Sequence, residues 1–289
     1  MLEKASYYSP PGKRKTKLSA GEGKTENRLH FSVLRMAEEI AAASAAGWEQ
    51  EKWISHYSSS HRILLVGEGD FSFSACLARA FGSAKKMVAT SYDSEERVLE
   101  KHRSAKNHLY ELRMLGCTVL HGINVKDMHE CPLLNLVRFD RIVFNFPHAG
   151  HAPYLKESDD ELIRRHRELL RDFFSSAKWL VNKGGEVHVT HRDDLPYARW
   201  RIISSARKRG LMITEKALFE KKEYPGYHHK RGGDIKGNKT FPIGLCYTFK
   251  FAVEYEREER EEEREEESSL SLGKAPNVDL VEVFGDLVI

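Results

Sequence analysis

Two stretches of this chain combine residue types that can do chemistry at a small-molecule site. The first is Gly67-Glu68-Gly69-Asp70-Phe71-Ser72, followed downstream by Asp93; the second is Asn145-Phe146-Pro147-His148. Glycine lets a backbone turn sharply and approach a ligand where a Cβ would collide. A dinucleotide fingerprint would read G-x-G-x-x-G, and Ser72 stands where its last glycine belongs. Glu68 and Asp70 add two carboxylates to the turn, which would repel a pyrophosphate but suit an ammonium or sulfonium group. Asp93 can accept hydrogen bonds from a ribose diol. S-adenosylmethionine carries a sulfonium, an ammonium and a ribose, and no phosphate. In the second stretch Asn145 offers a donor and an acceptor, Phe146 an aromatic face, and Pro147 a fixed backbone angle that exposes its carbonyl. His148 can exchange protons near neutral pH. That set suits a planar heterocycle.

The elements that must position these groups alternate between strand and helix. Ile63 to Val66 reads as a buried strand, the glycine turn follows, and Phe73 to Phe81 has apolar residues at helical spacing. A second strand, Met87 to Tyr92, ends on Asp93. A long helix over Glu95 to Leu115 is expected next, with Val98, His102, Leu109 and Leu112 facing inward and Gly116 closing it. Thr118 to Leu120 is a third strand, with Asn124 just past its carboxyl end, where ligands bind in open α/β sheets. A short helix around Leu133 and Leu134 leads to a fourth strand, Phe139 to Phe146. A polar loop over 149–160, a helix to Leu180, a strand from Glu186 to Thr190 and a helix from Tyr197 to Arg209 follow. Two last strands, Leu211 to Phe219 and Ile243 to Phe251, enclose a basic, aromatic loop from Glu223 to Thr240.

The order predicts an α/β fold: a doubly wound Rossmann-like sheet, mostly parallel, with an antiparallel edge strand. In such a sheet the fourth strand neighbours the first, so Asn145 to His148 should face the glycine turn. The reading divides the chain into four parts. Residues 1–30 are a disordered basic segment, and 31–60 a helical extension whose Trp48 and Trp53 pack on the main domain, with Ser58 to Ser60 as a hinge. Residues 61–252 are the Rossmann-like domain and 253–289 an acidic tail.

Composition narrows the class. No run of 18 apolar residues is present, and the N-terminus lacks the apolar core of a secretory signal. Cys76, Cys117, Cys131 and Cys246 stand singly, without the C-x-x-C spacing of a zinc site, so reduced thiols and no metal site are expected. The net charge of +3 hides an asymmetry: residues 254–289 carry 13 acidic and 4 basic side chains, leaving +12 on residues 1–253. A body that basic attracts polyanions, and the acidic tail could compete for the same face. Lys13-Arg14-Lys15 is a candidate nuclear address or phosphate contact.

Four segments together resemble the ribosomal-RNA uridine-N3 methyltransferase family: Val66 to Ser74, Ala89 to Asp93, Asn145 to His148, and Tyr224-Pro225-Gly226-Tyr227. The resemblance covers about residues 61–251. It implies an S-adenosylmethionine-dependent enzyme of Rossmann-like fold that methylates a large-subunit rRNA uridine in the nucleolus. By resemblance Gly67, Glu68, Gly69 and Phe71 form the cofactor turn, flanked by Asp70 and Ser72; Asp93 holds the ribose, and Asn145, Phe146, Pro147 and His148 line the methyl-transfer site. Three departures stand out. Asp70 replaces a frequent asparagine. Asn124 replaces a frequent aspartate, so the adenine contact there would come from a neutral amide. His191 and Arg192 stand where leucine and lysine are common.

Uracil N3–H is weakly acidic, so methylation there calls for a base within hydrogen-bond reach. His148 is the first candidate, with His188 and His191 behind it. The RNA contacts expected are His188, His191, Arg192, Tyr224, Tyr227, His228, Lys230 and Arg231, the tyrosines stacking on a base and the cations meeting phosphate. Two other classes stay open: a catalytically silent relative that binds RNA or protein, and a nicotinamide-dependent oxidoreductase, which Ser72 and the acidic turn disfavour. The expected location is the nucleolus or nucleus, otherwise the cytoplasm.

Overall fold

A computed structural model describes residues 50–152, 154–231 and 238–254. The N-terminal basic segment, the helix expected from residue 31, Trp48 and the acidic tail fall outside these. The described start of the chain departs from expectation. Instead of a helical extension and a serine hinge, it forms a hairpin of β1 (Trp53–Ile54) and β2 (Tyr57–Ser58). The hydroxyls of Ser58 and Ser60 both donate to the Glu51 carboxylate, a local polar network that competes with helix. Tyr57, not Trp53, is the packed aromatic: Tyr57 is 1% exposed and Trp53 57%.

The main sheet has seven strands: β3 (Ile63–Val66), β4 (Met87–Thr90), β5 (Thr118–Leu120), β6 (Phe139–Asn145), β7 (Val181–Arg192), β8 (Leu211–Leu218) and β9 (Cys246–Val253). Their order across the sheet is β5-β4-β3-β6-β7-β9-β8. The first five pair in parallel. β9 inserts antiparallel between β7 and the edge strand β8. The order reverses at β3, which lies between β4 and β6, so the carboxyl ends of β3 and β6 open onto one crevice.

Strand periodicity explains how β3 supports both layers. All four of its residues are buried, but Leu64 and Val66 join one core while Ile63 and Leu65 join the other. The first core is closed by the helix Asp160–Leu180, through Ile163, Leu170, Phe173 and Phe174. The second is closed by Ser72–Phe81 and Ala105–Met114, through Phe73, Leu77, Leu109 and Leu112. Each such side chain contributes roughly 1.5–3 kcal/mol when taken from water, which leaves the strand ends free to carry polar groups.

Two expected helices are broken, and both breaks serve the crevice. The helix expected over Glu95 to Leu115 is two: α2 (Glu95–Lys101) and α3 (Ala105–Met114), after α1 (Ser72–Phe81). His102 is extended at the break, and the Ser104 hydroxyl donates to Asp70 Oδ2 at 2.8 Å. After α4 (Pro132–Asn135) and α5 (Asp160–Leu180), the helix expected over Tyr197 to Arg209 becomes a 3-10 turn, Tyr197–Trp200, and α6, Ile202–Arg207. Arg201 between them is left-handed at φ 54, and Trp200 is driven into the first core.

Candidate active site

The crevice holds a cavity of about 590 Å³ lined by both sequence clusters. On its β3 side lies the glycine turn. Gly67 has φ +66, and a Cβ there would sit 2.6 Å from the Phe144 ring, so only glycine fits. Gly69 has an ordinary φ, and a Cβ there would make only normal contacts within the protein. Its bare edge faces the cavity. Glu68 Oε2 accepts from the Ser74 amide at 3.2 Å and its hydroxyl at 2.9 Å. Burial pushes its carboxyl up to about 7 against those two bonds. Asp70 accepts from the Ser72 amide through its other oxygen, which ties the turn to the start of α1 as well as to Ser104.

Asp93, at the end of β4, meets Lys101 Nζ at 3.0 and 2.8 Å through its two oxygens. A carboxylate oxygen has a second lone pair, so a ribose can share Asp93 with Lys101. Asn124 lines the same cavity. Phe71 does not: it is fully buried, in a left-handed conformation at φ 60, with its ring against His121. It shapes the turn from beneath and is not a cavity residue.

On the β6 side the cavity meets Asn145, Phe146 and His148. Both polar side-chain atoms of Asn145 are buried without a hydrogen-bond partner. An orphaned amide in a native site calls for a ligand that satisfies it. Phe146 is again left-handed, φ 49, with its amide donating to Thr190 O at 2.7 Å. Its ring stands edge-on to Phe219 and Phe241. Strained non-glycine backbone on both lips of the crevice, at Phe71 and Phe146, fits a site in which geometry is imposed by function.

A second cavity of about 170 Å³ adjoins the first through Phe146, His148, Lys230 and Arg231, and also meets Pro147, His191 and Arg192. Beside it His148, Glu157 and His166 bring one ligand-type atom each within 4.8 Å of one another, a spacing a metal ion could use. Hydrogen bonding decides otherwise. His148 Nδ1 accepts from the Gly150 amide at 3.0 Å and His166 Nδ1 from the Ala149 amide at 3.1 Å. Each neutral ring therefore carries its proton on Nε2, facing the Glu157 carboxylate at 3.1 and 3.5 Å. No nitrogen lone pair is left for a cation. Burial alone would raise the Glu157 pKa, but the two histidines outweigh it and hold the carboxyl well below the usual range. The same bonding removes His148 as the first choice of base, since neither ring nitrogen has a free lone pair.

Other expected contacts change role. His188 is fully buried, bonded to Glu186 at 3.2 Å and to the Tyr57 hydroxyl at 3.3 Å, so it is a core residue and touches no RNA. Burial pulls its pKa down to about 4. Tyr224 stacks on Phe219 inside the second core and cannot stack on a base. Tyr227 is buried against Phe73 and lines the larger cavity. His228, Lys230 and Arg231 also line that cavity, and Arg192 pairs with Asp194 at the edge of the smaller one. Lys101, His102, Glu157, His166 and Trp200 were missed. The helix break, invisible to periodicity, falls at His102, and Lys101 ends the helix before it.

This sheet order, with an antiparallel strand before the edge, is that of a Rossmann-like methyltransferase fold, and the acidic glycine turn at its centre suits S-adenosylmethionine. A family model described as "BMT5-like: rRNA (uridine-N3-)-methyltransferase BTM5-like" matches residues 64–231, and the chain belongs to that family. Two Arabidopsis thaliana proteins are 46% identical to it. "Heavy metal-associated isoprenylated plant protein 41" matches over 70% of this chain and 39% of its own length; "Uncharacterized protein At4g26485" over 70% and 97%. The "25S rRNA (uridine(2634)-N(3))-methyltransferase" of Saccharomyces cerevisiae is 25% identical over 61% of this chain and 67% of its own. Among solved structures, NSun6 from Pyrococcus horikoshii with SFG aligns at a TM-score of 0.46 and 15% identity, over 68% of this chain and 48% of that one. Among the described residues no helix is long and apolar enough to cross a membrane.

Proposed function

We propose that this protein methylates a ring nitrogen of an RNA base, N3 of a uridine in large-subunit ribosomal RNA, in the nucleolus or nucleus. The carrying observation is Asn145, an amide with both polar atoms buried and unpartnered on the wall of the cofactor cavity. Its Nδ2 suits the carbonyl oxygen beside a ring nitrogen, where negative charge gathers as the N–H proton leaves. Phe146 supplies a fixed aromatic surface for a heterocycle. Glu68, Gly69, Asp70, Asp93 and Asn124 would hold the cofactor, whose sulfonium supplies an electrophilic methyl group. Lys230, Arg231 and Arg192 provide positive charge around the mouths of both cavities, which suits a phosphate backbone. The uridine assignment is supported by what the family and the yeast relative are named for.

The test is mass spectrometry of rRNA nucleosides from cells with and without the protein, with calorimetric titration of S-adenosylmethionine and of NAD. Loss of 3-methyluridine and binding of S-adenosylmethionine alone are the expected results. Cofactor binding with no change in any nucleoside would favour a silent RNA-binding relative.

A further inference from the structure

Four histidines converge near the smaller cavity, and their hydrogen bonds sort them into two kinds. His148 spends both ring nitrogens within the protein, and His166 accepts the Ala149 amide on Nδ1, with the proton on Nε2 turned toward Glu157 at 3.5 Å but not hydrogen-bonded. His151 lies on the Glu157 cluster, with Nδ1 at 3.4 Å from Oε1. His191 differs. Its Nδ1 lies 2.9 Å from the backbone oxygen of Arg192, and a carbonyl can only accept. The proton is therefore on Nδ1 and the lone pair on Nε2, with no donor to it among the described residues. A backbone carbonyl here does the orienting that a carboxylate does in a catalytic triad.

The surroundings suit a base pocket. The His191 ring lies 4.2 Å from Trp200 and 5.5 Å from Tyr197, and is 4% exposed. Phe146, Pro147, Tyr197, Trp200 and Phe241 give the cavity flat apolar walls, with Arg192 and Arg231 also lining it. Facing His191 are His166 from α5, His148 from the turn after β6, Arg192 on its own strand and Tyr197 from the 3-10 turn, with Tyr247 opposite on β9. Burial pulls the imidazole down to about 4, so the ring is neutral at physiological pH.

Resting on the reading of the chain as a base-nitrogen methyltransferase, we propose that the acceptor base sits where the smaller cavity opens into the larger one at Phe146 and His148, and that His191 Nε2 receives its ring N–H proton. The N–H proton passes to Nε2 as the nitrogen bonds to the methyl group and the methyl–sulfur bond breaks. The resulting imidazolium releases its proton to solvent.

The experiment compares wild type with His191→Phe, which keeps the aromatic packing but has no lone pair, and His191→Gln, which keeps an acceptor but is not a base. Single-turnover methylation of a large-subunit rRNA transcript is followed from pH 6 to 9. Calorimetry gives affinities for S-adenosylmethionine and for two oligonucleotides, one with uridine and one with 3-methyluridine at the target position. Both variants should lose roughly 10²–10⁴-fold in turnover and recover part of it at alkaline pH, with cofactor affinity unchanged. Wild type and His191→Gln should prefer uridine, because 3-methyluridine has no N–H to donate; His191→Phe should lose the preference. Wild-type turnover and pH profile in either variant would overturn the proposal, as would equal affinity of wild type for the two oligonucleotides. Should wild type prefer the uridine oligonucleotide yet transfer no methyl group, the parent reading fails while the pocket stands.

Discussion

The cofactor side and the acceptor side of the crevice are built on different terms. On the cofactor side the working groups are close in sequence and largely backbone-defined: a glycine with positive φ, its neighbouring carboxylates, and Asp93 one strand later. On the acceptor side they are side chains brought from β6, α5, β7, the 3-10 turn after it and residues 227–231, and their roles depend on which ring nitrogen carries a proton. The first kind of site is robust to its surroundings. The second exists only once the whole sheet is assembled, so it is easier to retune.

Asn145→Ala gives the sharpest break of this contrast. If Asn145 belongs to the acceptor side, turnover should fall about 10²–10³-fold, in the range seen when a charge-stabilising donor is removed. Cofactor affinity measured by calorimetry should hardly move. A parallel loss of affinity would transfer Asn145 to the cofactor side.

Acid sensitivity should come from the core that holds the two sides together rather than from either side. The folded pKa of His188 is about 4, below its ordinary value near 6.5, because burial disfavours the charged ring. The unfolded chain therefore binds a proton first as pH falls. Its stabilising contribution is complete above about 6.5 and is lost between there and about 4, on the order of 3 kcal/mol in all. Urea unfolding at pH 7.5 and 4.5 measures the drop, and His188→Gln should show a smaller one. An equal drop in the variant would place the acid sensitivity elsewhere.

On the cofactor side, Asp93→Ala should weaken S-adenosylmethionine binding by about ten- to a hundredfold, the worth of a charged hydrogen bond of roughly 1.5–3 kcal/mol. Lys101→Ala, which removes the ammonium bonded to Asp93, sharpens the result. Unchanged or slightly tighter binding is expected if the ribose shares that carboxylate; a loss as large as that of Asp93→Ala would make Lys101 itself the contact.

The smallest effect concerns Glu68. With its carboxyl raised to about 7, it gains a proton, and loses its attraction for a cationic ligand, as pH drops from 8 to 6. Cofactor affinity should weaken several-fold over that interval, and Glu68→Gln should flatten the change. Identical pH profiles in the two proteins would show that Glu68 does not sense the ligand's charge.

What could be read from sequence follows from how local the cause is. The alternation of strand and helix, the glycine turn and the pairing of the Asn145 segment opposite it depend on hydrophobic period, glycine and the handedness of βαβ connections, all expressed over short spans. Where a network of side chains overrides propensity, the reading failed: the serines gathered by Glu51 make a hairpin of a predicted helix, and the break at His102 follows a turn that needs Ser104 for Asp70. Tyr224 and His188 look like surface recognition residues by type, and only burial shows them to be core.

The sequence by itself determined the doubly wound order, the acidic glycine turn and the tetrapeptide facing it, because these rest on residue type and on spacing along one backbone. The tertiary structure alone decided which histidine keeps a usable lone pair. The amides of Ala149 and Gly150 and the carbonyl of Arg192 assign the protons, and the sequence places His191 and Trp200 near neither His148 nor His166. Proton position is a property of the assembled hydrogen-bond network.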